Sequence, residues 1–329
     1  MKSIKLLPTL VLVATLVACT RSEAPAPVAE KPPVEPRVVT PPPPPSPQAV
    51  AREARVKSLA DDGTEIRYRA YGSGEPAIVF VHCWSCDSGY WDAQLNDFAA
   101  RNTVITMDLA GHGESSGEQR KDWSIANFGA DVAAVVKASG SERVVLVGSS
   151  MGGPVALEAA RRLPGQVIGI VGVDTFRELV TPFPPEQFEP LLAQMRVDFA
   201  RTVAAFVGDR FFTDRTDPVL RKWIVDDMSA APPEVAIPAV VALMAMDYGP
   251  VLDELDLPII AVNSAGSPTD EAGIRRVERR FKVVEVQGVG HFPMLEAPQT
   301  FNRVLERIVA EWVALEPLRN PLSAAPQTR

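Results

Sequence analysis

A chain of 329 residues with 33 Lys and Arg against 41 Asp and Glu carries a formal charge of −8, which argues against nucleic acid or an anionic lipid surface as its binding partner. Its hydrophobic share of 46% is enough for one large domain with a real core. Of the three cysteines one, Cys19, lies in the N-terminal leader, and the remaining two with scattered histidines do not make up a four-ligand site, so no metal is expected; no cofactor is expected either.

The chain opens on a short basic segment, Met1-Lys2-Ser3-Ile4-Lys5, followed by an apolar run over residues 6–18. That run is too short to cross a bilayer, which takes about 20 residues, and it reads as a secretory signal peptide. Its end, Leu16-Val17-Ala18-Cys19, resembles the lipobox of bacterial lipoproteins. The resemblance implies that residues 1–18 are removed and that Cys19, bearing palmitate, becomes the first mature residue and a membrane anchor. Thr20 in place of an aspartate implies the outer membrane of a bacterial envelope, facing the periplasm or the cell surface. Residues 19–51 include Pro41-Pro42-Pro43-Pro44-Pro45-Ser46-Pro47 and cannot build a core. They read as a polyproline II tether reaching about 3.1 Å per residue. With Cys19 lipidated, Cys83 and Cys86 are left as two free thiols in one short loop; a disulfide between them is the alternative in an oxidising compartment.

Residues 52–316 are expected to form one domain. Alternating runs at 56–59 and 66–71 read as antiparallel edge strands, and Ala77-Ile78-Val79-Phe80-Val81 is continuously apolar, as a strand buried on both faces should be. Helix-like and strand-like stretches then alternate at 90–100, 104–109, 125–138, 144–147, 154–163 and 167–173. The alternation breaks off over 175–250 and resumes at 259–262, 271–280, 283–286 and an amphipathic helix at 298–315; residues 317–329 read as a flexible tail. Eight strands in this pattern predict an α/β fold with a doubly wound, mostly parallel sheet and a helical lid, 175–250, inserted after the sixth strand.

One stretch carries the chemistry. Val144-Val145-Leu146-Val147 runs straight into Gly148-Ser149-Ser150-Met151-Gly152-Gly153 and then into helix-forming residues. A strand that turns directly into a helix brings backbones too close for Cβ atoms at the flanking glycines, and it leaves the central Ser150 projecting from a tight, strained turn. The helix start points free N–H groups at the space beside Ser150 Oγ, where an oxyanion would form. Met151 N–H is the nearest such donor.

At this point the chain resembles the α/β-hydrolase family over nearly all of residues 55–315, through four motifs in the family's order. These are Val81-His82-Cys83-Trp84-Ser85-Cys86-Asp87, Asp108-Leu109-Ala110-Gly111-His112-Gly113-Glu114-Ser115, the Gly148-to-Gly152 elbow, and Gly290-His291-Phe292-Pro293-Met294-Leu295-Glu296-Ala297-Pro298. The first resembles the oxyanion loop and implies Trp84 N–H as second donor. Cys83 stands where the family usually has glycine.

All three histidines fall inside these motifs. His82 and His112 read as loop-orienting residues, which leaves His291 as the base, in the chain order serine, acid, histidine. The acid stays open. The loop after the strand at 259–262 reads Asn263-Ser264-Ala265-Gly266-Ser267-Pro268-Thr269 and has no carboxylate. Asp270 follows, but it also suits a helix start. Asp174, at the end of the sixth strand, resembles the acid position of some family members and is the first choice; Asp270 is the second. Asp108 reads as structural, and Glu296 as a pin for the histidine loop.

The resemblance implies a serine hydrolase that cleaves an ester-type bond of a small apolar acyl or aromatic substrate through an acyl-enzyme. Lactonase, peptidase, C–C hydrolase and perhydrolase activities share these residues. A tethered binding protein that kept the fold and lost turnover is the reading from another class, motivated by Cys83 and by the acid missing from its customary place.

Overall fold

The fold is that of a computed structural model, which describes residues 51–178, 185–278 and 280–319. The expected signal peptide, Cys19 and the tether up to residue 50 lie outside these residues, as do residues 320–329.

Eight strands form one sheet: β1 (Arg52–Lys57), β2 (Glu65–Tyr71), β3 (Ala77–Val81), β4 (Val104–Met107), β5 (Val144–Ser149), β6 (Val167–Val173), β7 (Ile259–Ser264) and β8 (Lys282–Val286). Their spatial order is β1-β2-β4-β3-β5-β6-β7-β8; β1 and β2 are antiparallel to their neighbours and the rest run parallel. Every residue of β3, β4, β5, β6 and β7 is buried, because helices cover both faces of a parallel sheet. Phe80 of β3, stacked on Trp91 at 4.7 Å between ring centroids, is fully buried, and its truncation to alanine would cost about 3–5 kcal/mol.

Before β7 the helices are α1 (Asp92–Ala99), α2 (Ile125–Ser139), α3 (Gly152–Arg161), α4 (Pro185–Val197), α5 (Phe199–Arg210), α6 (Pro218–Ser229), α7 (Pro233–Met244) and α8 (Gly249–Asp253). After it come α9 (Glu271–Val277), α10 (Pro293–Glu296) and α11 (Pro298–Arg319). Capping explains several of the boundaries. Ser124 accepts the Asn127 N–H at the start of α2, and Gly140, at φ +72, ends it in the left-handed conformation that an L side chain resists. Asp198 and Asp217 cap α5 and α6 in the same manner as Ser124. Helices α4 to α8 all stand between β6 and β7.

Most expected boundaries shift by a few residues, and two of the shifts have a plain physical reason. β1 runs over residues 52–57 rather than 56–59, because an edge strand carrying Arg52, Glu53, Arg55 and Lys57 has little apolar alternation to betray it. The helix expected from residue 90 begins two residues later, after a single 3₁₀ turn, Ser88–Trp91, capped by Asp87.

Candidate active site

Ser150 follows the last residue of β5 and sits at φ +50, a left-handed conformation costing about 1–3 kcal/mol for a non-glycine residue. The surroundings hold it there. Its N–H donates to the Val173 carbonyl at 2.9 Å, and its own carbonyl accepts the Gly153 N–H at 3.0 Å. A Cβ at Gly148 would lie 2.1 Å from the Gly152 carbonyl oxygen, and one at Gly152 would lie 2.4 Å from that of Val81, so only glycine fits on either side of the serine. The ten-residue α3 begins immediately beyond. Met151 N–H and Trp84 N–H have no intramolecular acceptor among the described residues, which leaves both available as donors.

Asp174 is the neighbour in register. Ser149 of β5 pairs with Val173 of β6, so Ser150 and Asp174 each stand one step past a paired position, on adjacent strands. Asp174 is also left-handed, at φ +47. Its Oδ2 accepts the Nδ1–H of His291 at 2.6 Å. Its Oδ1 accepts the Ser264 N–H at 2.8 Å and a guanidinium N–H of Arg177. Burial works against the Asp174 charge, but the His291 bond and charge, then Arg177 and the Ser264 N–H, hold its pKa below the ordinary carboxylate value. The aspartate is therefore ionised at neutral pH and faces His291 with a single acceptor oxygen.

His291 is fixed from three sides. Its backbone N–H donates to the Phe211 carbonyl at 2.7 Å, and the Phe211 ring lies 4.2 Å from the imidazole centroid. The Glu296 carboxylate accepts the N–H groups of Gly290 at 3.0 Å and Phe292 at 3.2 Å and the Thr216 hydroxyl at 2.6 Å, so it pins the histidine loop to the inserted helices.

The other candidates go elsewhere. Asp270 caps α9, accepting the Gly273 N–H at 2.9 Å, and the structure does not bring it to His291. His82 is fully buried; its Nε2 accepts the Leu109 N–H at 2.9 Å and its Nδ1–H donates to the Cys83 carbonyl at 2.8 Å. Burial pushes the His82 pKa down and that of His112 to about 3, so both are neutral struts. Asp108 accepts the N–H groups of Ser88 and Glu114, each at 2.9 Å, and ties the two loops together. The free thiols expected at Cys83 and Cys86 are not found. The turn brings their Cα atoms to 5.3 Å, within disulfide reach, and the two are bonded.

Arg177, Ser264 and Phe211 were not anticipated as partners of the dyad. Ser264 had a signal: a strand-end loop with no carboxylate still offers backbone N–H groups to an acid on the next strand. A cavity of about 780 Å³ is lined by Asp174, Arg177, Arg210, Phe211 and His291 among others; Ser150 is not part of its lining, so it flanks the hydrogen-bonded Asp174–His291 pair rather than the serine. Among the described residues no cluster of three or more His, Cys, Asp or Glu is placed to hold a metal.

The sequence pattern of the alpha/beta hydrolase family matches residues 78–304, more than half of the chain, and the chain belongs to that family. It is an enzyme of the hydrolase class. The dihydrolipoyllysine-residue acetyltransferase component of the acetoin cleaving system of Cupriavidus necator is 30% identical over 174 residues, covering 52% of this chain and 46% of that one. This chain thus spans about half the length of that relative. The pimeloyl-[acyl-carrier protein] methyl ester esterase of Sodalis glossinidius is 26% identical over 205 residues, 59% of this chain and 76% of that one. Among solved structures, a thermophilic esterase from Thermogutta terrifontis, with malate bound, superposes with a TM-score of 0.70 at 23% identity over 80% of this chain and 99% of that one, a likeness of fold.

Proposed function

We propose that the protein is a serine hydrolase that cleaves an ester-type bond of a small apolar acyl or aromatic substrate through an acyl-enzyme. The observation that carries it is the 2.6 Å bond from His291 Nδ1–H to Asp174, on the strand in register beside the one that presents Ser150 on a left-handed turn. With Nδ1 donating to the aspartate, the imidazole keeps its lone pair on Nε2, the tautomer a general base needs. His291 takes the Ser150 proton as Oγ attacks the carbonyl, and Asp174 stabilises the imidazolium. The Met151 and Trp84 N–H groups hold the oxyanion; His291 then protonates the leaving alcohol, and water, activated by the same base, releases the acid.

The rings of Phe211 and Trp84, with Phe199 packed edge-on against Trp84, favour an uncharged substrate. The inserted helices serve as the lid, residues 175–250, and the ester chemistry named for the Sodalis relative supports the bond type. Lipidation at Cys19, with residues 19–51 as tether, would hold domain 52–316 at the bacterial outer membrane; the lipobox-like Leu16-Val17-Ala18-Cys19 supports that placement. A chain-length series of chromogenic p-nitrophenyl acyl esters tests the reading. The parent should turn over with a preference for uncharged acyl groups, and Ser150→Ala and His291→Ala should each lower kcat by at least about 10³ with the circular dichroism spectrum unchanged. Near-parental turnover by either variant would place the chemistry elsewhere.

A further inference from the structure

We propose that the Cys83–Cys86 disulfide, together with His82, is a positioning device that aims the Trp84 N–H at the oxyanion; the proposal rests on the acyl-transfer reading above. The peptide unit joining Cys83 to Trp84 contains both the Cys83 carbonyl and the Trp84 N–H. That unit is planar and trans, since the cis bond of the described residues is Glu75–Pro76, so its carbonyl and its N–H point in opposite directions. Whatever fixes the carbonyl fixes the donor.

Two groups fix it. His82 Nδ1–H donates to the Cys83 carbonyl at 2.8 Å, and Cys86 N–H approaches the same oxygen at 3.4 Å. His82 cannot turn away: its Nε2 holds the Leu109 N–H at 2.9 Å, and a rotated ring would leave buried polar groups unpaired. Cys86 cannot drift either, because the disulfide ties it to Cys83 across the turn. The third residue of that turn, Ser85, stands at φ +56, a conformation that a serine does not hold without support. On the other side the Trp84 indole Nε1–H donates to the Ala236 carbonyl of α7 at 2.7 Å. The donor is thus held by a covalent turn behind it and by the inserted helices in front. Cys83, which departs from the family's usual glycine, supplies by cross-linking the rigidity that an oxyanion donor needs before charge develops.

The test is made on the full chain. Alkylation of the denatured, unreduced protein followed by peptide mapping should find Cys83 and Cys86 unmodified; alkylated thiols at both would overturn the proposal. The double variant Cys83→Gly/Cys86→Ala should lower kcat on a chromogenic ester by about ten- to a hundredfold with KM within about threefold, and should weaken a boronic acid that forms a tetrahedral adduct with Ser150 by a similar factor. Cys86→Ser, which exchanges one sulfur for oxygen, is measured alongside so that the comparison survives if the double variant does not fold. Variants that lose only Tm, with kcat and boronate affinity kept, would show the disulfide to be a structural staple and overturn the positioning role alone. A parent that turns over no ester and binds no boronate would sink the acyl-transfer reading and this proposal with it.

Discussion

Replacing Asp174 by asparagine changes one atom and probes the relay at its hinge. The two oxygens of Asp174 have different partners: Oδ1 accepts from the Ser264 N–H at 2.8 Å and from Arg177, and Oδ2 accepts from His291 Nδ1 at 2.6 Å. An asparagine must therefore choose an orientation. If its oxygen stays toward Ser264 and Arg177, its amide N–H₂ faces His291 and the imidazole must accept at Nδ1, which moves the proton to Nε2 and removes the base. The flipped amide restores the His291 bond but sets N–H₂ against two donors, one of them charged, at a cost of about 1–3 kcal/mol for each unpaired buried group. The first orientation wins, and kcat should fall by about 10⁴. Asp270→Asn is the control, because asparagine caps a helix about as well as aspartate, and it should leave kcat within about twofold. Steady-state kinetics on one ester across pH 6–9, with Tm measured in parallel, decides between them. Asp174→Asn within tenfold of the parent, or a larger loss from Asp270→Asn, would refute the assignment of the acid.

Two further outcomes follow from the electrostatics and the leader. Burial and then the Asp87 charge push the Asp227 pKa up to about 6, while its Oδ2 accepts the Tyr90 hydroxyl at 2.8 Å. A raised folded-state pKa means that the protonated form is favoured on folding, so this stability is present below the unfolded value and is lost as pH rises through about 6. Asp227→Asn keeps an acceptor for Tyr90 and removes the buried charge; Tm should rise by a few degrees at pH 8 and change little at pH 4, and an equal shift at both would contradict the reasoning. Cys19→Ala should yield unprocessed precursor without acyl label, whereas a parent cut elsewhere and lacking lipid would end the lipoprotein reading.

What was legible in the sequence is what local chemistry dictates. The glycine-flanked Ser150 is legible because the clash at Gly148 is local, arising with Gly152 four residues on, whereas the clash at Gly152 comes from Val81 of the adjacent strand β3 and is visible only in the fold. The buried strand β3 announces itself by an unbroken apolar run, and β4 to β7 by runs that are mostly apolar. The sequence ranks Asp174 ahead of Asp270 without deciding between them, because the difference is one of register: only the pairing of Ser149 with Val173 carries Asp174 to the serine. Arg177 and Phe211 were hidden for a related reason, as one packs back on the acid across a turn and the other reaches the histidine from the inserted helices. The cross-link at Cys83 and Cys86 depends on how tightly their loop closes. Spacing permits that closure without requiring it.

The central claim is that Ser150 is an activated nucleophile, and a fluorophosphonate probe tests it most directly. Stoichiometric labelling of the folded protein, mapped by mass spectrometry to Ser150 and abolished in Ser150→Ala and strongly slowed in His291→Ala, is the predicted result. Folded, monodisperse protein that takes no label, or label on another residue that Ser150→Ala leaves untouched, would contradict it and leave a protein that binds without turning over.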